Sequence, residues 1–399
     1  MRIRSLTCAT LIACVFAAGA CGGDTTEQAD VQRVDVTKLD SGSYPTAPID
    51  VEQTRTDQSG AAREAIRIGA ATPLMSDIDN RYIYQNPGYR TRVITPKTPP
   101  SLKAVDRSEF DTVAPGLVAG WFTQGQRRKE FSVGSEVLVY VLRFSDASHA
   151  SAAVKELIER VPGDSISIPG YPEARTRHNA HTEFGINYLS TGLAHGEMAL
   201  LVQINDPISR PFAPGPPADL TKRSFDKLID MLRQYTPTPI DKVSALPLDM
   251  DGMLSRTVPL DDNNKSVDGS DPSGVYPAQA LLHSEQDPNS ARSAYTDAGV
   301  DYAAAVGALV LRAKDSAATT RLLAAISSPV ATEYDKADSP ANLPEAKCFK
   351  PKEGPGKSPM DKPVCYFAFD RYVAQVSSKN VQDLQQKTAA QYKLLAYGR

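Results

Sequence analysis

Apolar positions in this chain fall into two spacings. Val137–Arg143 (VLVYVLR) is a β-branched and aromatic run that reads as a strand. It runs on to Asp146, after which Ala147–Val161 carries apolar residues at helical spacing. Shifted by 169 positions, the order returns as Val306–Arg312 (VGALVLR), Asp315 and Ser316–Ile326. Val141/Val310, Leu142/Leu311, Arg143/Arg312, Asp146/Asp315 and Val161/Val330 coincide. An Asp at each junction is placed to cap the helix that follows. Arg143 and Arg312, at the strand ends, are expected to pair with those same carboxylates, Asp146 and Asp315.

The repeat continues. Pro172-Glu173-Ala174 corresponds to Pro344-Glu345-Ala346, and each precedes a hairpin. The hairpins are Phe184–Leu189 with Met198–Ile204, and Val364–Phe369 with Tyr372–Val376. Closing helices Leu220–Tyr235 and Val381–Leu395 each show one apolar face, marked in the first by Phe225, Leu228, Ile229 and Leu232. A β-α-β-β-α unit occurring twice predicts an α+β fold of two related domains. Each has an antiparallel or mixed sheet with helices packed on one face. The domains are placed at 45–236 and 274–399, with 237–273 as a linker whose stretch Leu260–Ser273 is polar and turn-rich. The first owns an extra segment, about 45–130, with a short helix around Ala61–Ile68 and the only tryptophan, Trp121. Residues 90–101 and 207–218 read as proline-rich loops.

The N-terminus follows different rules. Arg2 and Arg4 precede an apolar stretch, Leu6–Ala20, too short to span a bilayer and ending in small residues. Residues 1–20 read as a signal peptide. Ala18-Gly19-Ala20-Cys21 resembles a bacterial lipobox, with Ala18 where Leu is preferred. Leu11-Ile12-Ala13-Cys14 fits the pattern letter by letter, but cleavage there leaves an apolar tail. Cys21 is therefore the expected lipidation site, its two or more acyl chains giving a stable anchor. Residues 21–44 read as a flexible tether, with Val34–Tyr44 docking onto the first domain. The expected location is extracytoplasmic, on the outer face of the cytoplasmic membrane, with the lipid bilayer as partner.

Composition narrows the rest. Among 399 residues, 44 Lys and Arg nearly balance 47 Asp and Glu, for a net charge of −3. That balance excludes the basic stripe a nucleic-acid binder needs. Five cysteines become two once Cys8 and Cys14 leave with the signal and Cys21 takes lipid. Cys348 and Cys365, an even pair in an oxidising compartment, are expected to form a disulfide. A two-thiol metal site there lacks further ligands.

The lipobox, VDVTKLDSGSYPTAP, the strand-Asp-helix repeat and the C-terminal AKCF…CYFAFDRYVAQV…TAAQYKLLA together resemble one family. It is the lipoprotein family of unknown function from mycobacteria, nocardiae and related actinobacteria, and the resemblance covers roughly 34–399. It implies a class and a place, and it brings no activity with it. Cys348, Cys365 and Arg371–Ala374 fall on the family's recurring cysteines and strand.

Chemistry is sparse. His178 and His181, with Glu183 beyond, form an H-x-x-H, but in a segment entering a strand they face opposite sides. Ser224 and Lys227 match S-x-x-K, whose S-D-N and K-T-G partners do not occur. Ser224 is expected to face water. His149 lies in an alanine-rich helix, and His195 and His283 in turn-like contexts. Arg127-Arg128-Lys129 form a small basic cluster near Trp121 and Phe131, suited to anionic headgroups or glycans but ordinary for a solvated turn. No catalytic residue, metal or cofactor is assigned. The expected function is non-catalytic binding or scaffolding in the envelope, with an interdomain cleft for a small-molecule, glycan or protein partner. The alternatives are an envelope hydrolase with a spatial Ser/His/Asp site, or a sensor partner of a membrane kinase or transporter.

Overall fold

The structure, a computed structural model, describes residues 34–86, 88–89, 91–130, 133–181, 185–260, 273–354 and 361–399. Cys21 and the signal segment lie outside them. Two antiparallel sheets are built from β1 (Val93–Ile94), β2 (Leu117–Gln126), β3 (Glu136–Phe144), β4 (Arg175–His181), β5 (Ile186–His195) and β6 (Met198–Asp206), then β7 (Gly274–Pro277), β8 (Tyr302–Ala305), β9 (Ala308–Arg312), β10 (Tyr334–Ala337), β11 (Lys347–Pro351), β12 (Val364–Phe369) and β13 (Tyr372–Ser377). The longer helices are α1 (Ser59–Ala70), α2 (Ala147–Glu159), α3 (Gly215–Leu232), α4 (Pro288–Ala298), α5 (Ser316–Glu333) and α6 (Val381–Ala396).

The first sheet runs β1-β2-β3-β6-β5-β4, and the second runs β7-β8-β9-β13-β12-β11-β10. Position for position the orders match, with β10 added at one edge, so the α+β fold is duplicated. Each sheet holds more strands than the three of the expected unit: β1, β2 and β4 join β3, β5 and β6 in the first, and β7, β8, β10 and β11 join β9, β12 and β13 in the second. β4 and β11 follow the paired turns at 171–174 and 343–346, where Ala174 and Ala346 each close a turn onto Tyr171 and Leu343. Asp146 and Asp315 do cap their helices, accepting from His149 N at 2.9 Å and Ala318 N at 2.8 Å.

Helices cover both faces of each sheet, where the expectation had placed them on one. On β2, β3 and β6, Trp121, Val139, Val141, Leu200 and Val202 face α1 and α3, while Phe122, Tyr140, Leu142 and Leu201 face the side that α2 covers. In the second sheet Tyr366 packs toward α5 and Phe367 against Tyr392 of α6. Strands apolar on both faces need cover on both. Gly69 of α1 lets Trp121 approach, since a Cβ there would sit 2.5 Å from the indole.

Residues 35–399 form one compact unit. Its main apolar core runs through both sheets, joining Ile66, Trp121 and Leu228 to Tyr276, Leu281 and Tyr295. The stretch after residue 237 is packed rather than free. Arg55 donates to Ser244 O and Leu246 O, and Val258 N donates to Gln391 Oε1 at 2.8 Å. Residues 261–272 are outside the described ones. The segment 35–44 docks, but on the C-terminal helix: Tyr44 Oη donates to Asp383 at 2.9 Å and Gln386 to Asp40 at 3.1 Å. Pro216 and Pro217, read as loop, lie in the first turn of α3, where a missing N–H costs nothing.

Candidate functional site

α2 covers only part of its face of the first sheet. Beyond it, a cavity of about 1040 Å³ stands over Phe122, Leu138, Tyr140, Tyr188, Gln203 and Asn205 of β2, β3, β5 and β6. α1 contributes Ala62 and Arg63, and the stretch before α1 contributes Thr54 and Thr56. The roof is the proline-rich loop, from Thr95 through Pro99 and Pro100 to Lys103 and Arg107. That loop is tied down: Thr95 and Thr98 exchange backbone hydrogen bonds, and Tyr140 Oη donates to Ser101 O at 3.2 Å. Leu248, Leu254 and Ser273 complete the lining. The described lining holds no residue of the second sheet, though Leu254 and Ser273 come from the chain beyond residue 248.

The floor is aromatic. Phe122 packs edge-on to Tyr89 at 5.3 Å and tilted against Tyr140 at 4.9 Å. Burial pushes the Tyr89 phenol up to about 12 and raises those of Tyr140 and Tyr188, so all three stay protonated as donors. Glu136, beside this floor but not lining it, is raised by burial, although amides of Asn205 (2.9 Å) and Asn86 (3.4 Å) donate to it. Lys103 is exposed, and its ammonium lies over the Tyr188 ring. Desolvation there pushes its pKa down to about 7.

The residues singled out in the sequence do not converge on this cavity. Cys348 and Cys365 stand opposite each other on β11 and β12, Cα–Cα 4.1 Å, joined as a disulfide. His178 stacks on Phe212 at 3.7 Å and meets Asn187 at 3.2 Å, and His181 ends the same strand, β4. Ser224 does not face water: it is fully buried and donates to Leu220 O at 2.9 Å, the helical back-bond that lets a small hydroxyl sit inside. Arg127, Arg128 and Lys129 are exposed at the end of β2, whereas Trp121 is fully buried, so they share no patch. His195 is exposed at the β5–β6 turn. Among the described residues no group of three or more His, Cys, Asp or Glu could hold a metal ion.

The two repeat arginines are buried, and their partners are not the capping aspartates. Arg143 donates to Glu64 at 2.6 Å and to Glu197 at 2.8 Å. Arg312 holds Asp301 at 2.8 and 2.7 Å and Asp251 at 2.7 Å. Both aspartates 146 and 315 are consumed by their helix N-termini. Burial opposes ionisation of Glu64, but Tyr235, Thr238 and Arg67 outweigh it and hold its carboxyl below the usual range. His283 is likewise a structural surprise. It is fully buried, packs edge-on to Trp121 at 5.6 Å, and meets Thr123 Oγ1 at 2.7 Å and Thr72 O at 3.1 Å. The Thr72 carbonyl can only accept, so Nε2 carries the proton and Nδ1 accepts from Thr123.

Two related antiparallel sheets with helices, sharing one apolar core, define a duplicated α+β fold. The chain belongs to the DUF7373 family of unknown function. The domain of unknown function (DUF7373) N-terminal model matches residues 51–248, and its C-terminal counterpart matches 253–398. The boundary between them falls in the packed connection after residue 248. No curated protein matches the chain.

Proposed function

We propose that the protein is a non-catalytic binding lipoprotein of the cell envelope. In this reading a lipidated Cys21 holds it on the outer face of the cytoplasmic membrane, and a small molecule occupies the cavity of the first sheet. The observation that carries the binding role is the cavity: about 1040 Å³, at the upper end of the range for small-molecule sites, with aromatic walls fixed by four strands. Support for the location is the sequence of residues 1–21, with its basic start, short apolar stretch and small-residue approach to cysteine. No helix among the described residues is long and apolar enough to cross a membrane.

The hydrolase alternative has less to stand on. A Ser-His-Asp trio does meet at the start of α2: Ser145 Oγ lies 3.1 Å and Asp146 Oδ2 2.7 Å from His149 Nδ1. Both contacts use the same ring nitrogen, whereas a triad needs nucleophile and acid on opposite nitrogens. The trio is an exposed helix cap, and among the described residues the cavity lining holds neither histidine nor carboxylate.

The test is to purify the chain from its native envelope and extract it with solvent. Wild type should yield one small molecule per chain, and Leu102→Trp, which fills the cavity, should yield none. A protein that carries nothing, or a variant that carries as much, would overturn the binding role. Cys21→Ala should leave the precursor uncleaved or free of the membrane; a cleaved, still-attached form would refute the anchor.

A further inference from the structure

We propose that the cavity takes a single amphiphile with an apolar body and an anionic head, a carboxylate or a phosphate monoester, the head meeting Lys103 and Arg107 at the rim. This rests on the cavity being the ligand site and names what kind of ligand it selects.

The first observation is charge. Arg63, Lys103 and Arg107 line the cavity, and among the described residues no Asp or Glu does. In a chain where acids slightly outnumber bases, 47 to 44, that one-sidedness is a property of the site and not of the composition. The second is where the charges stand. Val93, Ile94, Phe122 and Leu138 are buried at the floor, while Lys103 and Arg107 are exposed. An apolar chain on that floor, with its head at the rim, buries hydrocarbon and leaves the ionic group partly hydrated. The reverse orientation strands a charge on an apolar floor, which costs far more.

The third is a desolvated charge. The Lys103 ammonium rests on the Tyr188 ring, and desolvation there lowers its pKa. An anionic head would supply a counter-charge. Arg63 is committed elsewhere, donating to Pro247 O at 3.0 Å and to Val275 O, so it contributes positive potential and not a free fork. The phenols of Tyr89 and Tyr188, also in the lining, suit the neck between head and chain.

The experiment uses the full described body, residues 35–399, and four ligands with one chain length: dodecanoate, dodecyl phosphate, dodecanol and dodecyltrimethylammonium, titrated below micelle formation by calorimetry. The two anions should bind about ten-fold tighter than the alcohol and the cation weakest, the advantage expected of one charge-assisted contact. Lys103→Gln should bring the anions down to the alcohol's affinity, and Lys103→Glu should reverse the preference toward the ammonium. Dodecanoate and dodecyl phosphate separate the two heads. Equal binding of anion and alcohol would overturn the anionic class while leaving the cavity as a ligand site. No binding of any of the four, by protein that is folded by circular dichroism, would overturn both.

Discussion

Burial decides what a charge is worth. Glu64 is 0% exposed and Arg143 2%, and Tyr235, Thr238 and Arg67 fill the remaining lone pairs of the carboxylate. A surface pair of the same geometry contributes little, but removing one partner of a buried pair leaves an uncompensated charge in a dry site. Glu64→Ala should therefore cost about 3–5 kcal/mol in denaturant unfolding. A loss under 1 kcal/mol would mean that water reaches Arg143. His283 gives a pH signature. Burial holds it neutral, with a pKa pushed from 6.5 down to about 3. Its folded pKa lies below the unfolded one, so its contribution is complete above pH 6.5 and is lost as pH falls toward 3. Between pH 6.5 and 5, above the carboxylate range, stability should fall by about 1.4 kcal/mol per pH unit from this group. His283→Gln should flatten that window, and an unchanged slope would contradict the neutral, buried assignment.

What could be read from the chain divides by distance in sequence. Asp146 and Asp315 were legible as caps because a cap is made three residues away. The partners of the neighbouring arginines were not: Glu64 is 79 residues from Arg143, and Asp251 is 61 from Arg312. β2 escaped notice because Leu117–Gln126 (LVAGWFTQGQ) is broken by glycines and by Thr123, Gln124 and Gln126, all buried. Gly125 is there for space, since a Cβ would meet Met75 at 2.5 Å. The duplication followed from the repeat, whose strands and helices announce themselves by local period. The cavity did not, because its lining comes from residues between 54 and 63, 88 and 107, 122 and 140, 188 and 205, 248 and 254, and from Ser273, and nothing local marks a residue as facing empty space. The proline-rich roof was visible only as a loop.

At the scale of the molecule, the two family segments are not two independent bodies. One apolar core passes through both sheets, and Arg292 grips Asp77 across them at 2.5 and 2.8 Å. Cooperative unfolding follows from a shared core. Calorimetry should show one transition, and reducing Cys348–Cys365 should lower it as a whole, by the loss of about 3 kcal/mol for a loop of this length. Two transitions, or a shift confined to the second, would show that the halves fold separately.

The central claim is that the cavity on the first sheet holds a ligand, and the most direct measurement is a crystal structure of the protein purified from its own envelope without added lipid. The account predicts density for a bound molecule over Phe122 and Leu138, with its polar end beside Lys103 and Tyr188. A cavity closed by its own side chains, or a ligand seated elsewhere on the molecule, would contradict it.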